Sequence, residues 1–138
     1  MKKTEMIARL NEQLPPCLTV LNAEVVDINL EQRECELRFD VSEQFCHSIN
    51  VVQGGNVTVM LDAAMCHAVF VADDRIAALP SLEIKVSFLA PTLAGPARAI
   101  GKVIHLGGTT VFMEGTLING AGEVSARASS TAKLVRQR

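Results

Sequence analysis

The chain has 138 residues, a formal net charge of −2 and a hydrophobic fraction of 49%, which is enough apolar material for one domain with its own core. It carries no clustered basic surface and contains no Trp or Tyr, so nucleic-acid binding is not expected. Charged residues interrupt every apolar run, and no signal-type core follows the basic Met1–Lys3. We therefore expect one domain over residues 1–138, cytoplasmic and without a membrane span.

The four cysteines are predicted to be small apolar residues rather than metal ligands. None of them forms a C-x-x-C pair, which makes a zinc site unexpected, and a chain without a signal sequence favours a reducing compartment. They are Cys17, Cys35, Cys46 and Cys66.

The first part of the chain predicts one helix and two strands. Thr4–Leu14 carries apolar residues at helical spacing and is ended by a Pro-Pro pair. Leu18–Leu30 is rich in Val and Ile and is predicted as a strand. Glu34–Val41 alternates apolar and charged residues, as a half-buried strand does. A loop over 42–51 then leads to the longest helix.

The centre of the chain begins with Gly54-Gly55 and stays small and apolar to about Val71. This pattern predicts a helix buried on nearly every face. One carboxylate, Asp62, lies inside it, and a buried carboxylate normally has a partner or a chemical role. At the glycines, free N–H groups and the helix dipole favour negative charge. The helix therefore offers an amide donor for a developing oxyanion and a carboxylate further along.

The remainder predicts four strands joined by short turns, which must be largely antiparallel. Together with the central helix they indicate an α+β architecture, in which one long buried helix is wrapped by a curved antiparallel sheet of about six strands. Open sheet edges of this kind are often covered by a second subunit. The strands are expected in 76–88, Ala97–Leu106, Thr110–Ile118 and Glu123–Val135, and the last presents one face of Val124, Ala126, Ala128, Ser130, Ala132 and Leu134.

The loop and helix start read His47-Ser48-Ile49-Asn50-Val51-Val52-Gln53-Gly54-Gly55, and Asp62 follows nine residues after Gln53. With Pro80–Pro91, Gly107-Gly108-Thr109 and the glycines before the final strand, this order resembles the hotdog-fold acyl-CoA thioesterases. The resemblance is to the 4-hydroxybenzoyl-CoA and phenylacetyl-CoA thioesterase branch, and it covers nearly the whole chain from about Leu18. In this sequence Gln53 replaces the family's His, and His47 replaces its loop Asn.

The resemblance implies hydrolysis of an acyl-CoA to free acid and CoA, with no metal or bound redox cofactor. Asp62 would act as general base or nucleophile, and the Gly54 N–H would polarise the thioester carbonyl. Gln53, His47 and Ser81 are further catalytic candidates that could orient water, substrate or the carboxylate. The substrate-binding candidates are Gly55, Asn50, Lys85, Gly108 and Thr109.

Distance predicts a homodimer with shared active sites. Gly54 and Asp62 are eight residues apart, roughly 12 Å along one helix, whereas each must come within about 3 Å of its target on one thioester. Two antiparallel helices could supply one group each, and the resemblance suggests that such dimers pair into tetramers.

Two other functions stay open. A hotdog hydratase or dehydratase is suggested by the D-x4-H spacing of Asp62 and His67, although side chains five residues apart are about 140° apart on a helix. A non-catalytic module that binds acyl-CoA is compatible with the departures at His47 and Gln53.

Overall fold

A computed structural model describes residues 2–137 of the chain. Its helices are α1 (Lys3–Glu12), α2 (Pro16–Thr19) and α3 (Gly54–Ala72), with a short 3-10 helix at Glu43–Phe45. Its strands are β1 (Glu24–Asn29), β2 (Glu34–Val41), β3 (Ile76–Ala78), β4 (Ser81–Phe88), β5 (Gly95–Leu106), β6 (Thr110–Ile118), β7 (Val124–Lys133) and β8 (Val135–Arg136). Six strands form one antiparallel sheet in the order β1-β2-β5-β6-β7-β4, and β3 pairs with β8.

Helix α3 lies across the sheet and contacts all six of its strands. The closest approach is at Gly101 on β5, where an added Cβ would lie 2.0 Å from the carbonyl oxygen of Ala64. A Cβ on Gly115 of β6 would lie 3.1 Å from Cγ of Met65. Because these strand positions carry no side chain, the helix backbone can approach the sheet directly. This arrangement confirms the predicted α+β architecture with six strands around one helix.

Helix α3 is long and apolar enough to match a membrane span by length and composition, but more than half of it is buried inside the fold. That burial is typical of a core helix. The expectation that it is buried on nearly every face is nevertheless wrong for one stripe. Val59, Asp62, Cys66 and Phe70 recur at helical spacing and are only half-buried, because α1 and α2 leave a cavity beside them.

The predicted strands differ from the structure at three places. The strand predicted over Leu18–Leu30 begins only at Glu24. Residues 16–19 instead form α2, whose first position is a proline, a residue that helices tolerate there. Val124 is 42% exposed rather than part of the inner face, because a register shift near the start of β7 turns Ser125 inward. The short β3–β8 pair was not predicted. Glu34–Val41, by contrast, is confirmed, with its apolar residues buried.

Strand β4 is an edge of the sheet, since its partner within the chain is β7. Its apolar residues are poorly covered: Leu82 is 60% exposed and Phe88 is 58% exposed, and Leu89 just beyond the strand is equally open. This strand, expected within residues 76–88, therefore has an apolar face that one chain alone leaves largely open.

Candidate active site

Asp62 lies on the half-buried stripe of α3 and is held at one oxygen. Ser81, the first residue of β4, donates its hydroxyl to Oδ1 of Asp62 over 3.2 Å. The Cys66 thiol, one helical turn further on, donates to the same oxygen over 3.8 Å. Among residues 2–137, no donor contacts Oδ2 of Asp62 and no cation pairs with it. One oxygen is thus positioned while the other remains available.

Cys66 is a donor and not a nucleophile in this arrangement. Burial, followed by the nearby Asp62 charge, raises the pKa of the Cys66 thiol to about 12. The thiol therefore stays protonated at neutral pH, and the thiolate is the form that attacks. In the described part of the chain, no group of three His, Cys, Asp or Glu side chains is arranged to hold a metal ion.

Asp62 opens into a cavity of about 1080 Å³ between α1, α2 and α3, which we call the acidic cavity. Its size is at the upper end for small-molecule sites. Sequence analysis missed it, because it arises where separate helices meet and no local pattern marks it. Its apolar lining includes Met6, Leu10, Leu18, Val59 and Phe70.

His67 also lines the acidic cavity and is only 7% exposed. Its Nδ1 lies 2.8 Å from the carbonyl oxygen of Ala63, and its ring meets Phe70 edge-on with centroids 5.6 Å apart. Burial lowers the pKa of the imidazole. In residues 2–137, His67 and Asp62 share no hydrogen bond, as their angular separation predicted, although both face the same cavity.

The start of α3 is capped by Gln53. Its Oε1 accepts from the N–H of Gly55 over 2.8 Å and from that of Asn56 over 3.3 Å. Two candidate residues are therefore engaged in holding the helix start: the carboxamide oxygen of Gln53 and the amide of Gly55. The N–H of Gly54 has no acceptor among the described residues. It is the donor in this first turn that a ligand could take.

Gly54 opens on a second, smaller cavity of about 450 Å³, which we call the amide cavity. His47 also lines it, together with Val57, Phe88 and the segment Leu89–Thr92. His47 is exposed, and its Nδ1 lies 2.8 Å from the hydroxyl of Ser48. A Cβ added to Gly54 would lie 3.2 Å from Cζ of Phe88, so that ring forms a wall beside the free amide.

The two halves of the predicted site do not meet within one chain. Asp62 lines the acidic cavity and not the amide cavity, whereas Gly54 and His47 line the amide cavity and not the acidic one. Ser81 contacts Asp62. A single chain therefore presents a carboxylate with its hydroxyl partner in one place and an open amide in another.

The other substrate-binding candidates line neither cavity. Asn50 is exposed and uses its carbonyl to accept from the Ala94 N–H over 2.8 Å. Lys85 is exposed on β4. Gly108 and Thr109 form the turn between β5 and β6, and the Gly108 carbonyl accepts from Nη1 of Arg136 over 2.6 Å. Within one chain, these residues are not brought to Asp62 or Gly54.

A charged cluster at the end of α3 was also missed. Asp73 accepts from Nε of Arg75 at Oδ1 and from Nε of Arg136 at Oδ2. The Arg75 side chain and backbone, with help from Arg136, hold the pKa of Asp73 well below its usual range. The carboxylate thereby ties the end of α3 to β8. The nearby Arg75 was the only sequence signal for this contact.

Comparison with known proteins gives consistent matches over most of the chain. A family model described as the thioesterase superfamily matches residues 49–126. A Saccharolobus solfataricus protein named, provisionally, as an esterase is 27% identical over 109 residues, which is 79% of this chain and 77% of that protein.

Solved structures show the fold. A phenylacetic acid degradation-related protein from Ralstonia eutropha JMP134 has a TM-score of 0.84 at 24% identity, over 93% of this chain and 98% of that one. The E. coli PaaI protein from the phenylacetic acid degradation operon has a TM-score of 0.81 at 17% identity, over 95% of this chain and 92% of that one. These likenesses confirm the predicted hotdog fold.

Proposed function

Because this chain belongs to the thioesterase superfamily, we propose that it hydrolyses an acyl-CoA thioester to the free acid and CoA. One observation carries the proposal. Among the described residues, nothing pairs with one oxygen of the Asp62 carboxylate or with the N–H of Gly54, and the two groups open on different cavities of the same chain. Each group is what one half of a thioesterase site requires.

In the proposed reaction the Gly54 N–H and the helix dipole stabilise the negative charge that develops on the thioester oxygen. Asp62 removes a proton from the attacking water, or attacks the carbonyl carbon itself to give an anhydride that water opens. In either route the C–S bond breaks, one water molecule is consumed, and the CoA sulfur leaves as a thiolate and takes up the proton that the water gives up. In the general-base route the acid keeps the water oxygen. Ser81 fixes Oδ1 of Asp62 and leaves Oδ2 to react.

We propose that the two halves come from two chains of a homodimer. With α3 helices antiparallel across a two-fold axis, the amide cavity of one chain would face Asp62 of its partner, and two equal sites would result. The edge strand β4 supports this arrangement, since its exposed Leu82 and Phe88 lie beside the catalytic candidates Ser81 and Gly54. Pairing of such dimers into tetramers rests on the family resemblance.

The remaining candidates are assigned secondary roles. His47 lies beside the free amide and would orient the acyl carbonyl or the water. Gln53 would act through the helix start that it caps. Lys85 is an exposed cation that would contact CoA phosphates. The other binding candidates line neither cavity within one chain and would contact CoA only across the dimer: Gly55, Asn50, Gly108 and Thr109.

The test is thiol release from short, medium, long and aromatic acyl-CoAs by the wild type and by Asp62→Asn. The amide keeps the shape of Asp62 but cannot act as base or nucleophile, so kcat should fall at least about 100-fold while acyl-CoA still binds. A near-wild-type kcat would rule out this role of Asp62. Absence of hydrolysis with all substrates, with binding retained, would favour the non-catalytic binding module instead.

A hydratase is the second candidate, because Asp62 and His67 line the same cavity. Against it, the two side chains share no hydrogen bond within residues 2–137, and five positions on a helix separate them by about 140°. An assay that measures hydration of an enoyl-CoA as a loss of its enoyl absorbance decides between the hydratase and the thioesterase. The thioesterase proposal predicts thiol release without hydration.

A further inference from the structure

The imidazole of His67 presents an unused hydrogen-bond acceptor to the acidic cavity. Nδ1 lies 2.8 Å from the carbonyl oxygen of Ala63, and a carbonyl can only accept, so Nδ1 carries the proton and donates it. In the neutral ring, Nε2 is then a lone-pair acceptor. No partner contacts Nε2 within residues 2–137. In the described part of the chain, every side-chain nitrogen or oxygen that is sealed from solvent has a hydrogen-bond partner, so the unpaired Nε2 must keep some access to solvent. Nε2 therefore opens to the cavity.

The surroundings keep this ring neutral and in place. Desolvation lowers the pKa of His67, so the neutral form dominates at neutral pH. The edge-on contact with Phe70 and the bond to Ala63 fix the ring plane. This acceptor opens into a cavity whose apolar lining includes Met6, Leu10 and Leu18. It is matched by an O–H donor on a ligand that is otherwise apolar.

We propose that His67 is a specificity residue, which accepts a hydrogen bond from a hydroxyl group on the acyl chain, so that the preferred substrates are acyl-CoAs with a distal hydroxyl. This inference rests on the proposed function, because it places the acyl chain in the cavity that contains Asp62. The two residues are five positions apart on α3, about 7.5 Å along the helix axis. The hydroxyl should therefore lie several bonds from the thioester carbonyl.

The cost of a wrong substrate follows from the same contact. An acyl chain that ends in a methyl group would cover Nε2 without pairing it, and a polar atom left unpaired in an apolar site disfavours that complex. For a neutral acceptor with some access to solvent, we expect a preference of about tenfold for the hydroxylated member of a matched pair.

Two matched pairs test the inference: 6-hydroxyhexanoyl-CoA with heptanoyl-CoA, and 3-(4-hydroxyphenyl)propanoyl-CoA with its 4-methyl analogue. Within each pair the hydroxyl and methyl groups have similar size. The expected result is a ratio of kcat/KM near ten in favour of the hydroxylated member of at least one pair. His67→Phe, which keeps an aromatic ring and removes the acceptor, should bring that ratio close to one.

Controls separate recognition from packing. Val59→Ala alters a wall of the same cavity but leaves His67 and its contacts with Ala63 and Phe70 in place, so its ratio should stay near the wild-type value. His67→Gln, which can still accept, should retain part of the ratio. Dissociation constants measured by calorimetry on Asp62→Asn should show the same preference without turnover, and this measurement remains decisive if His67→Phe does not fold.

The outcomes distinguish the two proposals. Equal kcat/KM and equal binding within both pairs would overturn the role of His67 and leave thioester hydrolysis intact. A wild-type preference that survives unchanged in folded His67→Phe would also overturn it. Absence of hydrolysis for every acyl-CoA would refute the proposed function. The binding ratios of Asp62→Asn with and without His67→Phe or His67→Gln would then still decide whether His67 recognises a hydroxyl.

Discussion

Replacing Gly54 by proline removes one backbone N–H and changes little else at the start of α3. Gly54 is the first residue of the helix, where proline is tolerated because no intrahelical acceptor awaits its amide. Gln53 before it has φ −64° and ψ 139°, the extended conformation that a residue preceding proline requires. The helix should therefore form in the variant.

The expected loss is that of one oxyanion donor. Such a donor contributes about 3 kcal/mol to the barrier, which corresponds to roughly 150-fold in kcat. The new side chain also meets the Phe88 ring, since a Cβ at position 54 lies 3.2 Å from its Cζ. That ring is 58% exposed and can turn aside.

Gly54→Ala is the matched control. It introduces the same Cβ beside Phe88 but keeps the N–H, so its kcat should fall several-fold at most. Thiol-release kinetics on both variants, with circular dichroism to verify the helix, give the comparison. A folded Gly54→Pro protein with kcat equal to that of Gly54→Ala would refute the oxyanion role of this amide.

Three further predictions concern stability and the thiols. Gly101→Ala should destabilise the fold by about 3 kcal/mol in urea unfolding, because its Cβ would collide with the Ala64 carbonyl; an unchanged midpoint would contradict the close helix–sheet contact. Asp73→Asn should lower the free energy of unfolding by about 2 kcal/mol at neutral pH. Because the folded-state pKa of Asp73 is lowered, that difference should be present above about pH 4 and vanish as the pH falls further; a pH-independent difference would contradict the ion pairs. Alkylation at neutral pH should modify exposed Cys17 before Cys66, whose pKa is raised to about 12. Because Cys17 lines the acidic cavity, a small reagent should change KM at most and leave kcat largely intact; complete loss of kcat at saturating substrate would contradict a mechanism without a thiol nucleophile.

Local patterns predicted the elements whose environment repeats along the chain. The alternation of Glu34–Val41 identified β2 because each inward residue meets the same core. The paired glycines located the start of α3, which the structure places at Gly54, because glycine permits the tight backbone geometry of the turn into the helix. The family resemblance, rather than a local pattern, suggested that Ser81 lies beside the candidate carboxylate, and its hydroxyl does contact Asp62.

The parts that were missed depend on contacts between distant segments. The acidic cavity forms where α1 and α2 stand beside α3, and no local period encodes that gap. The inward turn of Ser125 results from a register shift between β6 and β7, which depends on how two strands pair. Asp62 is half-buried because α1 and α2 leave this part of α3 uncovered. A sequence pattern cannot show which face of a helix its neighbours leave open.

The central claim is that each active site takes its amide from one chain and its carboxylate from another. Subunit mixing tests it most directly, with Asp62→Asn and Gly54→Pro as two nearly inactive parents. In a mixed dimer one site would combine the intact Gly54 of the first variant with the intact Asp62 of the second, while the other site would carry both changes.

Random mixing of equal amounts gives half of the dimers as mixed, each with one intact site of two. The shared-site arrangement therefore predicts recovery of about a quarter of wild-type activity by counting sites. If both groups acted within one chain, every site would keep one damaged residue, and activity would stay at the level of the parents. Parental activity in a sample with demonstrated mixed dimers, and with Gly54→Pro shown to be folded, would contradict the shared site.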